Sequence, residues 1–355
     1  MNSLNVIDFL AIERISPSQY MSLKQCSYKV ILSKAMNGKA LLPVSGRAYY
    51  GTVLHKMLEL MVKGVVTNEN QFDDRFDEEV AKIEEKLVND GFGFLVPLQK
   101  EVWDFTEKKI LLKEHLDNSG KKGVSPSFFT SEKWFESKDK KIGGKPDLII
   151  ERDGSIEIID FKTGKVEADK LDDSEEEPSI TIKPEYADQL KLYAYLYFET
   201  TGRTPTKLTL VNVAKKRFSI EFNLEECVAL AEDAKQLLKE VNTSISTSVF
   251  SANPSKENCK YCLSRPACLF YREFLKSEFA HADLFGRITK VAKFGNGNVT
   301  AYLEFGPNIF TISKISERHF EELNKRVNNQ VYFFNIRREV RDLHFSANRA
   351  TMIYE

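Results

Sequence analysis

The residues most able to do chemistry lie between Gly143 and Lys162, in GGKPDLIIERDGSIEIIDFK. Two apolar, β-branched-rich runs, Asp147 to Arg152 and Ser155 to Lys162, flank Asp153-Gly154. That dipeptide supplies the two left-handed positions of a type I′ hairpin turn. Counting outward from Arg152 against Ser155 sets Leu148 opposite Ile159 and Asp147 opposite Asp160. Directly opposed residues have Cβ atoms about 5 Å apart, where two like charges destabilise a sheet unless something neutralises them. A divalent cation would. Side chains alternate along a strand, so Lys162 shares the face of Asp160 while Glu157 points to the other side. A lone D-x-K is usually an ordinary charged hairpin edge. The second, opposed aspartate is what marks this one as a candidate cation site.

The elements around the hairpin must hold it. The run from about Ala48 to Lys63 reads as a helix with Leu54, Met57, Leu58 and Met61 at core spacing and His55 beside that stripe. Such a histidine suits either packing or metal ligation. Tyr186 to Thr200 reads as a second helix, with Gln189 and Tyr193 four residues apart on one face and Tyr186 a turn earlier. Aromatic residues at this spacing equally suit a core. Ser16 to Ala35 is expected as a single helix with Cys26 in its middle, and Glu69 to about Leu116 as charged peripheral helices. Strand-like composition over Lys121 to Gly144 adds at least a third strand to the hairpin, giving an α/β layer with a mixed sheet. After Lys162 a polar, acidic excursion of about twenty residues reads as a mobile loop. Strands are expected at Lys207 to Val213 and Phe218 to Phe222, then a helix from about Leu224 to Val241. The basic cluster Lys215, Lys216 and Arg217 between those strands is either a phosphate contact or a hairpin tip.

Five cysteines occur, and CKYCLSRPAC places Cys259, Cys262 and Cys268 in a C-x2-C-x5-C pattern. Clustered cysteines in an intracellular chain point to metal ligation more than to disulfides. Zinc held by four cysteines usually takes two C-x2-C knuckles, whereas one distant cysteine plus a compact triplet suits an iron–sulfur cluster. The reading favours [4Fe–4S] in a structural role, with zinc as the alternative. Cys26, in a polar segment, is preferred over Cys227, which opens an apolar helix, as the fourth ligand.

From about Asp283 the pattern changes to β-β-β-α-β-β, the order expected of a small OB-type barrel. Residues 281–355 carry eleven Lys and Arg against eight Asp and Glu, so this part is basic while the remainder is acidic. Single strands bind such barrels by stacking on aromatics, for which Tyr302, Phe310, Tyr332 and Phe334 are candidates; most of them are nevertheless expected to be core, and a protein-docking or purely structural barrel is the alternative. The domain expectation is therefore 1–278 for the first unit and 279–355 for the barrel. The 355 residues carry a net charge of −1, which argues against a general polyanion-coating protein. No apolar run reaches membrane-spanning length and no basic leader precedes an apolar stretch, so a cytoplasmic location is expected.

Together these motifs resemble the PD-(D/E)XK nucleases, in particular the RecB-like, AddB-like branch that carries an iron–sulfur cluster, to which the CRISPR adaptation nucleases are similar. The resemblance runs from about Ser16 to Phe274: SPSQYMSLKQCSYKV, His55 in GTVLH, GGKPD ending at Asp147, Asp160-Phe161-Lys162, and Gln189 to Tyr193 in Q-x-x-x-Y. It implies a restriction-endonuclease-like mixed sheet flanked by helices, and hydrolysis of phosphodiesters with Mn²⁺ or Mg²⁺ held by His55, Asp147, Asp160 and the Phe161 carbonyl. Lys162 would position the attacking water, and Gln189 and Tyr193 would orient Lys162 or contact DNA. The expected activity is a single-strand-preferring deoxyribonuclease acting as an exonuclease in repair, recombination or anti-phage defence. The competing expectation is a catalytically silent DNA-binding or scaffold subunit of a helicase-nuclease complex. The chain has no G-x-x-x-x-G-K-[ST] loop and hence no motor of its own, so strand opening would need a helicase partner.

Overall fold

Asp153 and Gly154 both adopt positive φ, 48° and 78°, and close the hairpin as the turn chemistry demands. The strands on either side, Leu148–Arg152 and Ser155–Lys162, pair in the register counted from the sequence, from Arg152 opposite Ser155 to Leu148 opposite Ile159. This computed structural model describes residues 8–114, 116, 128–131, 133–167, 182–278 and 282–355.

Around the hairpin the sheet grows to five strands. Phe128–Ser131 pairs antiparallel with Leu148–Arg152, Lys207–Asn212 runs parallel to Ser155–Lys162, and Arg217–Ile220 closes the far edge. Parallel neighbours need a crossover connection, and here it contains the helix Pro184–Thr201. The acidic excursion read as a mobile loop falls largely on residues 168–181, outside the described residues; its flanks meet at an isolated bridge between Glu167 and Ile182. On one face of the hairpin Leu148, Ile159 and Val211 form a small core with Phe161 and Val62 packed against it. Residues 11–24 and 45–247 make up this unit, a mixed α/β fold.

The second unit gathers residues 25–44 and 248–355, with the N-terminal segment through Leu10. Residues 248–278, with the cysteine triplet, thus cluster with the C-terminal strands. A curled, seven-stranded half-barrel sheet closes over Leu284, Ile288, Leu303, Phe310, Ile312 and Phe333. Three long antiparallel strands, Asp283–Lys293, Asn298–Phe305 and Asn308–Ser316, are the expected ones. The helix of the β-β-β-α-β-β order is short, a 3₁₀ turn Glu317–His319 followed by Phe320–Asn324. Two strands go beyond the five expected: Arg337–Arg338 pairs antiparallel with His344–Ser346, and His344–Ser346 pairs parallel with Asn308–Ser316.

The single helix expected over Ser16 to Ala35 is two, Pro17–Gln25 and Ser27–Ala35. Cys26 interrupts them with extended backbone, φ −164° and ψ 100°. Among the described residues no helix is long and apolar enough to cross a membrane.

Candidate active site

Asp160 and Lys162 project from the same face of a central strand, and the crossover helix lays Gln189 across both. Lys162 Nζ lies 2.6 Å from Asp160 Oδ2 and donates to Gln189 Oε1 at 2.9 Å. Gln189 Nε2 donates in turn to Asp160 Oδ1 at 3.1 Å. The ammonium also rests over the Tyr186 ring, 4.5 Å from its centroid. The side chains of Asp160 and Lys162 are only 4% and 15% exposed, so these charges act on each other with little water between them. Asp160 Oδ2 is buried without a hydrogen-bond donor: the ammonium is close to it but out of line for a bond.

Asp147 stands in the bend before Leu148–Arg152, one step beyond the last strand pair and in line with Asp160. Its Oδ2 accepts the backbone N–H of Phe161 at 2.7 Å, which ties it to the D-x-K strand. His55, on helix Gly46–Val62, brings Nδ1 to 3.8 Å from the same oxygen. Burial holds the His55 imidazole below its usual pKa; Asp160 opposes that shift and Lys162 reinforces it. A neutral imidazole beside two carboxylates is a donor set suited to Mn²⁺ or Mg²⁺, and Asp160 Oδ2, which has the Lys162 charge beside it but no hydrogen-bond donor, has lone pairs left for such an ion. Among the described residues no three His, Cys, Asp or Glu side chains are arranged to hold a metal as they stand.

A model of the PD-(D/E)XK nuclease superfamily matches residues 14–269. The chain belongs to this superfamily. Membership makes it a nuclease by family, a hydrolase class that acts on nucleic acid and typically uses divalent metals. No curated protein matches the chain. Among solved structures, one of a presumed exonuclease from Eubacterium rectale is 10% identical, with a TM-score of 0.43, over 74% of this chain and 88% of that one. Another, described by the words "structural mimicry for functional antagonism", is 8% identical with a TM-score of 0.20, over 65% of this chain and 96% of that one. Likenesses this remote leave the family match and the site geometry to carry the reading.

For a PD-(D/E)XK chain, the remaining candidates sort clearly. Tyr193 is buried away from solvent with its ring edge against Gly144, where an added Cβ would sit 3.1 Å from Tyr193 Cε1 and 2.8 Å from Pro17 Cδ. It therefore packs the segment that leads into Asp147. Glu157, on the opposite sheet face as expected, accepts from Arg217 at 2.6 Å and pairs with Lys207 at 3.4 Å. The basic cluster has local partners: Arg217 with Glu157, Lys216 with Glu167 at 3.0 Å, and Lys215 with the Glu114 carbonyl at 2.9 Å. Lys108 had no signal in its charge-rich stretch, yet its Nζ donates to the carbonyl of Thr163, one residue past Lys162, at 3.0 Å.

In the other unit, Cys26, Cys259, Cys262 and Cys268 line one pocket together with Arg265 and Tyr271. Burial pushes the Cys259 thiol up to about 11 and that of Cys268 up to about 12, and raises Cys262. Four thiols around one pocket, supplied by a C-x2-C-x5-C triplet and a distant cysteine, are a donor set that fits an iron–sulfur group. Cys227 is buried in helix Leu224–Thr247, in the unit of the five-stranded sheet. Tyr332 and Phe334 are 5% and 0% exposed. Phe285 and Arg272 cover Tyr332, and Tyr354 meets Phe334 edge-on. Phe310 is likewise core. Base stacking needs an open ring face, so these three rings serve the core of the sheet, and only Tyr302 of the four is not buried.

Proposed function

We propose that this superfamily member is a metal-dependent deoxyribonuclease of the RecB-like, AddB-like iron–sulfur branch, acting on single-stranded DNA as an exonuclease in repair, recombination or anti-phage defence. The observation that carries the reading is the closed set formed by Asp160, Lys162 and Gln189, with Asp147 tied to the same strand through the Phe161 N–H. His55, Asp147, Asp160 and the Phe161 carbonyl would hold Mn²⁺ or Mg²⁺. The ion, when bound, lends Lewis-acid charge to the scissile phosphate.

The chain's own residues supply the rest. Lys162 is held by Gln189 and Tyr186 where it can orient a water and stabilise charge developing on the phosphate. Gln189 fixes the relative placement of ammonium and carboxylate. Tyr193 buttresses the approach to Asp147. Cys26, Cys259, Cys262 and Cys268 would carry a [4Fe–4S] cluster in a structural role, and the C-terminal half-barrel is read as an OB-like module. DNA is the substrate partner, and a separate helicase is the class of partner that would expose single strands to a motorless chain in the cytoplasm.

The test is cleavage of end-labelled single- and double-stranded DNA with Mn²⁺ or Mg²⁺, comparing product ladders from each end. Single-nucleotide release from one end of single strands is expected. A ladder of internal cuts would replace exonuclease with endonuclease, and no cleavage with either ion would favour the silent DNA-binding subunit.

A further inference from the structure

The cysteine triplet is held by a buried charge pair, Arg265 with Asp283. Arg265 opens the 3₁₀ turn Arg265–Ala267 between Cys262 and Cys268 and is only 3% exposed. Its Nε and Nη2 donate to the two oxygens of Asp283 at 2.7 and 3.1 Å. Its Nη1 donates to the backbone carbonyls of Cys262 at 3.1 Å and Lys260 at 3.3 Å, and Nη2 also reaches Asn335 Oδ1 at 2.6 Å.

Asp283, 2% exposed, is the first residue of the strand Asp283–Lys293. It accepts two further bonds, from the Tyr271 hydroxyl at 2.7 Å and from the Asn335 backbone N–H at 2.9 Å. Tyr271 in turn sends its own N–H to Cys268 Sγ at 3.4 Å, where Cys268 caps the helix Leu269–Ser277. One carboxylate thus fixes the carbonyls around Cys262 through Arg265 and the helix start at Cys268 through Tyr271.

A buried ion pair is weak evidence for stability, because an apolar pair of similar volume often serves as well. What an apolar pair lacks is a planar guanidinium whose fork grips one carboxylate while its remaining nitrogen reaches two peptide carbonyls. We propose that Arg265 and Asp283 are positioning residues for the cysteine pocket: they hold residues 259–268 in the shape that accepts an iron–sulfur cluster. The C-terminal sheet is then part of the cofactor site although it supplies no ligand. The inference rests on the cluster reading given above.

The test uses the full chain, produced and purified without oxygen. It reads iron and sulfide per chain, the visible thiolate-to-iron absorption, and the half-time of iron loss to a chelator. Arg265→Lys keeps the charge and removes the fork, and the double variant Arg265→Met with Asp283→Leu removes the pair without leaving a charge unpaired. Partners behind metal ligands commonly contribute about 10- to 100-fold to metal affinity, so both variants should lose iron about tenfold faster or more. The double variant should keep its circular dichroism in the iron-free form, with a melting midpoint lowered only by the bonds lost at Tyr271 and Asn335. Iron retention equal to wild type in a folded double variant overturns the proposal; if that variant does not fold, equal retention in Arg265→Lys does so. Wild-type protein carrying zinc would remove the cluster reading, while zinc retention in the same variants still decides the positioning role. Wild-type protein that binds neither overturns both.

Discussion

Gln189 offers the sharpest perturbation of the candidate site, because it bridges the charges of Lys162 and Asp160. Gln189→Ala removes the acceptor from Lys162 Nζ at 2.9 Å and the donor to Asp160 Oδ1 at 3.1 Å. Asp160 then has no hydrogen-bond donor to its side chain among these partners, since Oδ2 already lacks one. An unsatisfied buried acceptor costs about 1–3 kcal/mol, which in a unit of this size lowers Tm by several degrees. The rate should fall further, because an ammonium displaced by about 1 Å costs on the order of 10²-fold. Gln189→Glu separates the two effects. Its carboxylate would meet Lys162 at an attraction of about 6 kcal/mol and Asp160 at a repulsion of about 5, taking an effective dielectric of ~20. These nearly cancel, which leaves the desolvation of a second buried carboxylate, so this variant should melt no higher than wild type. The donor to Asp160 is nonetheless gone, and single-turnover cleavage should drop about 10- to 100-fold. The assay is single-turnover hydrolysis of end-labelled DNA at saturating metal, beside a thermal melt. Cleavage by Gln189→Ala within about threefold of wild type would refute the bridging role.

Further outcomes follow from the same geometry. Asp160→Ala and Lys162→Ala should abolish cleavage while Glu157→Gln, on the opposite face of the same strand, keeps it; full activity in either of the first two sinks the mechanism. Chelation by EDTA should stop cleavage and added Mn²⁺ should restore it, checked by product formation before and after dialysis. Gly144→Ala places a methyl group 2.8 Å from Pro17 Cδ and 3.1 Å from Tyr193 Cε1, and overpacking of this kind should cost about 1–3 kcal/mol in a denaturant titration. Gly154→Ala forces an L side chain to φ 78° in the hairpin turn, and about 1–2 kcal/mol of destabilisation is expected by the same method.

The hairpin was legible because its information is local: Asp153-Gly154 sets the turn and the turn sets every pair out to Leu148 and Ile159. The break at Cys26 was not. Helix-forming residues flank it on both sides, and the pocket it lines with Cys259, Cys262 and Cys268 is formed more than two hundred positions later in the chain. That most of the strand aromatics would be core was expected, but which rings cover Phe310, Tyr332 and Phe334 was not, because those neighbours are brought in by strand pairing. Arg265 and Asp283 look in sequence like two ordinary charges. Their importance lies in burial and in each other, and neither is a local property.

The split cysteine pocket also imposes an order on biosynthesis. Cys26 leaves the ribosome 233 residues ahead of Cys259, and Asp283 follows Cys259 by a further 24. At about 5–20 residues per second the first cysteine waits on the order of 10–50 s for its partners. Through that interval its thiol is open to oxidation or to stray metal, while the five-stranded sheet, encoded in between, has time to form. If the proposed cluster forms in that pocket, nascent chains arrested before and after Asp283 has emerged should differ in their ability to retain iron.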